Sequence, residues 1–184
     1  TYEDVPRDDK GYPLFSAVKA YVDSADTGDD FLCAIVYGVY KDYAYVLDVL
    51  YTDAPMEITE EQTADLINQN SVNIADIESN NGGRGFARNV KRILKEKYPG
   101  NRTKITAFHQ SKNKEARILS NSTQVMEYVL FPVNFKDRWP EYYTSMYKYQ
   151  RKGKNAHDDA QDATTGVVER LNAPVIKSIN SDIY

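Results

Sequence analysis

The sequence has a single cysteine, Cys33, in 184 residues. One thiol cannot build an internal disulfide framework or a cysteine-based zinc cluster, and it fits a reducing compartment. No apolar stretch is long enough to cross a bilayer, which takes ~20 residues; the longest runs only from Phe31 to Tyr40. The leading residues Thr1, Glu3, Asp4, Arg7, Asp8 and Asp9 are polar, so no signal peptide is expected. No internal repeat or low-complexity tract is present. A basic excess is lacking too. The 23 basic and 27 acidic side chains leave a net charge of -4 and a pI of 5.3. Taken whole, that balance speaks against a nucleic-acid partner, because such domains are usually basic. A soluble, intracellular chain is expected.

What is present is ordinary globular material. The hydrophobic fraction is 41% and the charged fraction 27%, enough apolar surface to argue against wholesale disorder. The length suits one domain, burying roughly two thirds of its unfolded surface. The charge is unevenly spread. Residues 1–83 carry a net of -13, residues 84–117 a net of +9, and residues 118–184 a net of zero. Charge runs usually mean solvated helix faces. The sharper reading is a basic surface that tracks phosphates beside an acidic pocket that holds metal.

Residues 1–17, with Pro6 and Pro13, read as an extended lead-in. Three β-rich runs follow at Val18–Asp23, Phe31–Tyr40 and Tyr43–Tyr51. Gly28 serves the first turn and Lys41-Asp42 the second. Thr59 and Gln62 have capping-box spacing and predict a helix from there to about Asn70. Val72–Glu78 reads as a strand and Arg84–Tyr98 as a basic helix, stopped by Pro99-Gly100. Lys104–Phe108 reads as a strand and Lys112–Leu119 as a helix. Glu127–Phe131 is strand or extended. A Tyr-rich helix from Phe135 to Tyr149 breaks near Pro140, and a last helix runs from about Asp158 to Leu171. Residues 18–173 thus form the domain, and 174–184 a loose tail. Hairpin-linked strands followed by βαβ units predict an α/β domain. Its central mixed five-stranded sheet is flanked by helices on both faces, which is the element order of the ribonuclease H-like fold.

Three acidic positions end β-rich runs or open a helix. Asp23 closes the first strand, Glu78 closes the fourth, and Asp158 and Asp159 open the last helix. Strand ends and helix starts meet at the ligand crevice of α/β domains. Carboxylates suit Mg²⁺ or Mn²⁺, and two such ions can activate water and stabilise the leaving oxygen of a phosphodiester. Each position also has a plainer reading: a turn for Asp23, an N-cap for Asp158 or Asp159. One cap does not explain the trio with Asp162, and Asp158 and Asp162 at i, i+4 repel unless a cation lies between them. Glu78 follows an apolar strand, where an unpaired carboxylate is costly. His157 beside the Asp pair is a candidate auxiliary group; His109 reads as structural. Asp76 shares a strand face with Glu78 and is a weaker supporting candidate.

Four segments in order carry a resemblance. They are Tyr21–Asp30, Ile77-Glu78-Ser79-Asn80-Asn81-Gly82-Gly83, Asn113–Ile118 and His157-Asp158-Asp159-Ala160-Gln161-Asp162-Ala163. Together the chain resembles the nuclease domain of the large terminase subunit of tailed double-stranded DNA bacteriophages. The resemblance implies a ribonuclease H-like, metal-dependent endonuclease that cuts concatemeric viral double-stranded DNA during packaging in the host cytoplasm. It implies two Mg²⁺ or Mn²⁺ ions, with the portal protein and small terminase subunit as partners. By position, Asp23, Glu78 and one or both of Asp158 and Asp159 would be the catalytic metal acids, Asp159 being favoured, with Asp162 auxiliary. Arg84, Lys112, Lys114 and Arg117 are the candidate DNA contacts. The family's motor carries a phosphate loop. Here the Gly153-Lys154 pair lacks the upstream glycine and precedes Asn155, so a nuclease fragment without the N-terminal ATPase is expected. A junction-resolvase-like nuclease and a non-catalytic DNA-binding or assembly module are the alternatives.

Overall fold

The apolar runs become the sheet. The computed structural model describes residues 1–24, 31–80, 83–150 and 157–171. The hairpin strands are β1 (Ala17–Asp23), β2 (Leu32–Tyr40) and β3 (Tyr43–Thr52). Then come α1 (Met56–Gln69), β4 (Ile74–Glu78), α2 (Gly83–Lys97), β5 (Lys104–Phe108), α3 (Lys114–Tyr128) and β6 (Val129–Leu130). The chain closes with α4 (Phe135–Arg138), α5 (Pro140–Lys148) and α6 (Asp159–Leu171). The sheet order is β5-β4-β1-β2-β3-β6. β1, β2 and β3 pair antiparallel, whereas β4 runs parallel to β1, β5 to β4 and β6 to β3.

The sheet therefore has six strands, not five. The sixth is short because α3 is longer than its sequence suggests. The helix expected to end at Leu119 continues, because the polar side chains that follow bond back into it. Asn121 Nδ2 donates to the Arg117 carbonyl at 2.9 Å and Ser122 Oγ to that of Leu119 at 3.0 Å. Asn113 caps the start by accepting from the Ala116 amide at 3.0 Å. Glu127 is thus helical, and only Val129 and Leu130 remain to pair. The capping box at Thr59 does not form. Helix α1 starts earlier, after Pro55, whose φ of -62° suits a helix entry. Thr59 Oγ1 instead donates to the Met56 carbonyl at 3.1 Å. The turn between β2 and β3 has no glycine; Lys41 takes the left-handed conformation there, at φ 54°.

Both faces of the sheet are covered, as β2 requires, since Leu32 to Gly38 are all buried. Strand alternation sends Ala20, Val22, Ala34 and Val36 to one face, against Ala64 and Ile67 of α1 and Phe86 and Val90 of α2. It sends Tyr21, Cys33, Ile35 and Tyr37 to the other, against Tyr142 of α5 and Ala160, Ala163 and Val167 of α6. The lead-in packs along the β3–β6 edge: Tyr2 bridges Pro132, and its hydroxyl donates to the Val46 carbonyl at 2.6 Å. The expected turn at Gly28, the acids Asp26, Asp29 and Asp30, residues Asn81 and Gly82 of the second resemblance segment and the 174–184 tail lie outside the described residues.

Candidate active site

Parallel pairing builds the site. β1 and β4 are neighbours with Val22 opposite Ile77, so Asp23 and Glu78 end the two strands side by side. Helix α6 crosses the same sheet face and brings its acidic first turn, Asp159 and Asp162, over those strand ends. Its approach is close. A Cβ on Gly166 would run into the ring of Tyr21 on β1, so only glycine lets helix and strand meet here.

The carboxylates of Asp23, Glu78 and Asp162 bring one ligand oxygen each within 4.8 Å of one another. Two buried oxygens of this set, Asp23 Oδ2 and Asp162 Oδ1, make no hydrogen bond, and each is approached by a cationic side chain, Lys114 at 3.7 Å and Arg117 at 3.0 Å. Burial raises the Asp23 carboxyl well above its ordinary range. Lys114 opposes that shift, and the nearby Glu78, Asp162 and Asp159 add to it. Asp162 is pushed up to about 7 by burial and by Glu78 and Asp158, against the pull of Arg117 and Lys114. Three crowded carboxylates with spare lone pairs are a donor set for a hard divalent cation.

Two cations reach in from α3, one turn apart. Lys114 Nζ lies 2.7 Å from Asp159 Oδ1, 3.1 Å from Asp158 Oδ1, 3.7 Å from Asp23 Oδ2 and 3.9 Å from Asp162 Oδ2. Burial disfavours its ammonium, but the carboxylates outweigh burial and its pKa is raised. The ammonium thus supplies the cation that the Asp158–Asp162 spacing called for. Arg117 is 2% exposed. Its Nη1 is 3.0 Å from Asp162 Oδ1 and 3.5 Å from Glu78 Oε1, and its Nη2 donates to Glu169 Oε2 at 3.1 Å. Removing one partner of so buried an ion pair costs about 3–5 kcal/mol. The same guanidinium donates to the Tyr21 hydroxyl at 3.3 Å, and that hydroxyl donates to Glu78 Oε1. The Asn80 side chain clasps the chain just past β5: its Nδ2 donates to the Gln110 carbonyl and its Oδ1 accepts from the Gln110 amide, both at 3.0 Å.

The candidates thus separate. Asp23, Glu78 and Asp162 converge. Asp159, favoured from sequence, is instead held by Lys114 and by the Phe31 amide, which donates to its Oδ2 at 3.2 Å. Asp158 is partly exposed beside Lys114. His157 sits outside the carboxylate cluster, with its ring edge-on to Phe31 at 5.0 Å. Lys114 and Arg117, read as DNA contacts, lie among the acids; the burial of Arg117 takes it off the surface that a duplex would touch. Lys112 is exposed before α3. Arg84 joins Arg88 and Lys91 around a shallow cleft floored by Ile105 and Ala107. Asp76 pairs with Arg170 at 4.0 Å rather than with the cluster. Sequence reasoning missed Tyr21, which looks like an ordinary core residue of β1. It also missed Glu169, whose signal was its spacing of seven from Asp162 on one helix face.

The family model for the terminase of bacteriophage T7, ribonuclease H-like domain, matches residues 22–129. That span includes Asp23, Glu78, Lys114 and Arg117 and stops before α6. A search of curated proteins found no match. Among solved structures, the chain resembles the nuclease domain of the large terminase subunit gp2 of bacterial virus Sf6. The two are 12% identical, with 90% of this chain and 92% of that one covered and a TM-score of 0.60. The human cytomegalovirus terminase nuclease domain, Mn soaked and inhibitor bound, is 12% identical with coverages of 91% and 90% and a TM-score of 0.62. The large terminase nuclease domain of bacteriophage SPP1, with bound Mn, is 19% identical with coverages of 92% and 94% and a TM-score of 0.53.

Proposed function

The chain belongs to the ribonuclease H-like domain family of the bacteriophage T7 terminase, and from that premise we propose that it is a metal-dependent DNA endonuclease. Its substrate is concatemeric viral double-stranded DNA, cut during genome packaging in the host cytoplasm. The observation that carries this reading is the convergence of Asp23, Glu78 and Asp162 at adjacent strand ends, where the buried Asp23 Oδ2 makes no hydrogen bond. That donor set fits Mg²⁺ or Mn²⁺. The manganese named for the SPP1 and cytomegalovirus domains supports the same choice.

Asp23, Glu78 and Asp162 are the residues that hold the cations, with Asp158 and Asp159 beside them. Two ions, when bound, supply activation of a water and stabilisation of the leaving oxygen of the phosphodiester. The chain supplies the rest. Tyr21 and Arg117 both hold the Glu78 carboxylate by its Oε1. Lys114 draws Asp158 and Asp159 together at the open side of the site. Arg84, Arg88 and Lys91 have no ion-pair partner among the described residues, whereas Arg92 and Lys97 on the same helix pair with Glu96, Glu61 and Asp65. The unpaired stripe, with Lys112, tracks the phosphate backbone without reading bases. The portal protein, the small terminase subunit and an ATPase domain of the same polypeptide are the partners that a packaging role requires.

Supercoiled plasmid tests this. With Mn²⁺ or Mg²⁺ the purified chain is expected to give nicked and then linear DNA, and EDTA to stop the reaction. Plasmid that is bound yet intact in both metals would overturn the enzyme reading and leave a DNA-binding module.

A further inference from the structure

A cavity of about 600 Å³ opens beside the acids and contributes nothing to the carboxylate cluster. Its volume falls within the roughly 300–1,000 Å³ of small-molecule sites. Its walls are aromatic, from Phe31, Tyr51, Tyr149 and His157. Phe31 and Tyr51 stack at 4.7 Å with 18° between their planes, and His157 meets Phe31 edge-on. The Tyr51 hydroxyl donates to Ser145 Oγ at 3.3 Å, which anchors that ring.

The cavity adjoins the site through Phe31 and His157. The Phe31 amide holds Asp159 Oδ2 at 3.2 Å, and His157 directly precedes Asp158 and Asp159. Tyr149 lies within the field of the same acids: burial first, and then Asp158, raises its phenol pKa. The charges of the lining disfavour an anion, since Lys148 shares it with Asp53 and Glu141. A flat, neutral heterocycle suits it better. It would extend the Phe31–Tyr51 stack and offer exocyclic amino groups to the two carboxylates.

We propose that this cavity is a nucleobase site: one base of the strand being cut leaves its stack and enters here, while the adjoining phosphate lies over Asp23, Glu78 and Asp162. The inference rests on the nuclease reading for the source of the base. Paying the unstacking is least costly where the duplex is frayed or already open, so cutting would favour such DNA.

The test compares binding of a short oligodeoxycytidylate with an abasic strand of the same length, both with phosphorothioate backbones that resist cutting, by fluorescence anisotropy in Ca²⁺, which neutralises the acids. The intact protein is expected to bind the strand with bases roughly 5- to 100-fold more tightly, as base–aromatic stacking gives. Thr144→Trp fills the cavity and should bring that ratio close to one while leaving the abasic affinity unchanged. Tyr149→Ser should lower the ratio in the same direction, and it carries the comparison if the tryptophan variant does not fold. A ratio near one in the wild type overturns the proposal. So does a ratio that survives the substitutions, which would leave the cavity to another occupant, such as a cationic side chain of a protein partner. Plasmid cleavage by the wild type in Mn²⁺ is read in parallel. Cleavage without a base preference removes the base site alone, and absence of cleavage removes the nuclease reading whatever the ratio.

Discussion

Asp159 and Asp162 stand one turn apart on α6 and meet different partners. Asp159 faces an ammonium and a backbone amide; Asp162 faces Glu78 and Asp23 and pairs with the Arg117 guanidinium at 3.0 Å. Asp162→Asn is therefore expected to abolish measurable Mn²⁺ binding by calorimetry and all detectable plasmid nicking. Asp159→Asn should lower affinity only by the roughly 10- to 100-fold typical of a supporting residue. Equal reductions in the two variants would contradict that division. The same crowding predicts a pH dependence. Asp162 titrates near 7 in the folded, metal-free chain and near 3.9 unfolded, so the folded state keeps a proton that the unfolded state releases. Its contribution to stability is complete below about pH 4 and is lost as pH rises through about 7, and Asp23 shifts in the same direction. Urea midpoints in EDTA should fall between pH 5 and pH 8, and saturating Mn²⁺ should remove the fall. A midpoint that rises with pH in EDTA would be inconsistent with crowded, buried carboxylates.

At the scale of elements, the site depends on how closely α6 lies on β1. Gly166→Ala places a methyl against the Tyr21 ring. Overpacking of this kind costs about 1–3 kcal/mol, and here it also displaces the hydroxyl that holds Glu78. Thermal unfolding should shift down by several degrees and Mn²⁺ affinity should drop with it; an unchanged affinity would separate the packing from the site. The elements are largely readable in the sequence. Strands β2 and β3 are long apolar runs, and β5 is bounded by turn residues on both sides. Asp23 and Glu78 stand out because each ends such a run. The length of α3 is hidden, because serine and asparagine side chains that bond back to helix carbonyls look like loop residues in one dimension. The choice between Asp159 and Asp162 is hidden as well, since it depends on the phase and tilt of α6 over the sheet. Arg117 is misread because a cation in a basic stretch looks solvated; only the packing of α3 on α6 buries it.

For the whole molecule, the net charge of -4 is the sum of an acidic site and a basic flank. The cluster repels DNA until cations occupy it, and the stripe on α2 attracts DNA throughout. Replacing Arg84, Arg88 and Lys91 together by alanine should weaken duplex binding uniformly across sequences. It should also flatten the slope of log affinity against log salt by about 1 for each phosphate no longer neutralised. An unaltered slope would move the DNA path elsewhere on the surface. The central claim is that Asp23, Glu78 and Asp162 jointly hold the divalent cations that cut DNA. Its most direct test is anomalous diffraction from crystals soaked in Mn²⁺. The account predicts manganese peaks bounded by oxygens of all three residues. Crystals with manganese elsewhere on the chain and none among these carboxylates would contradict it.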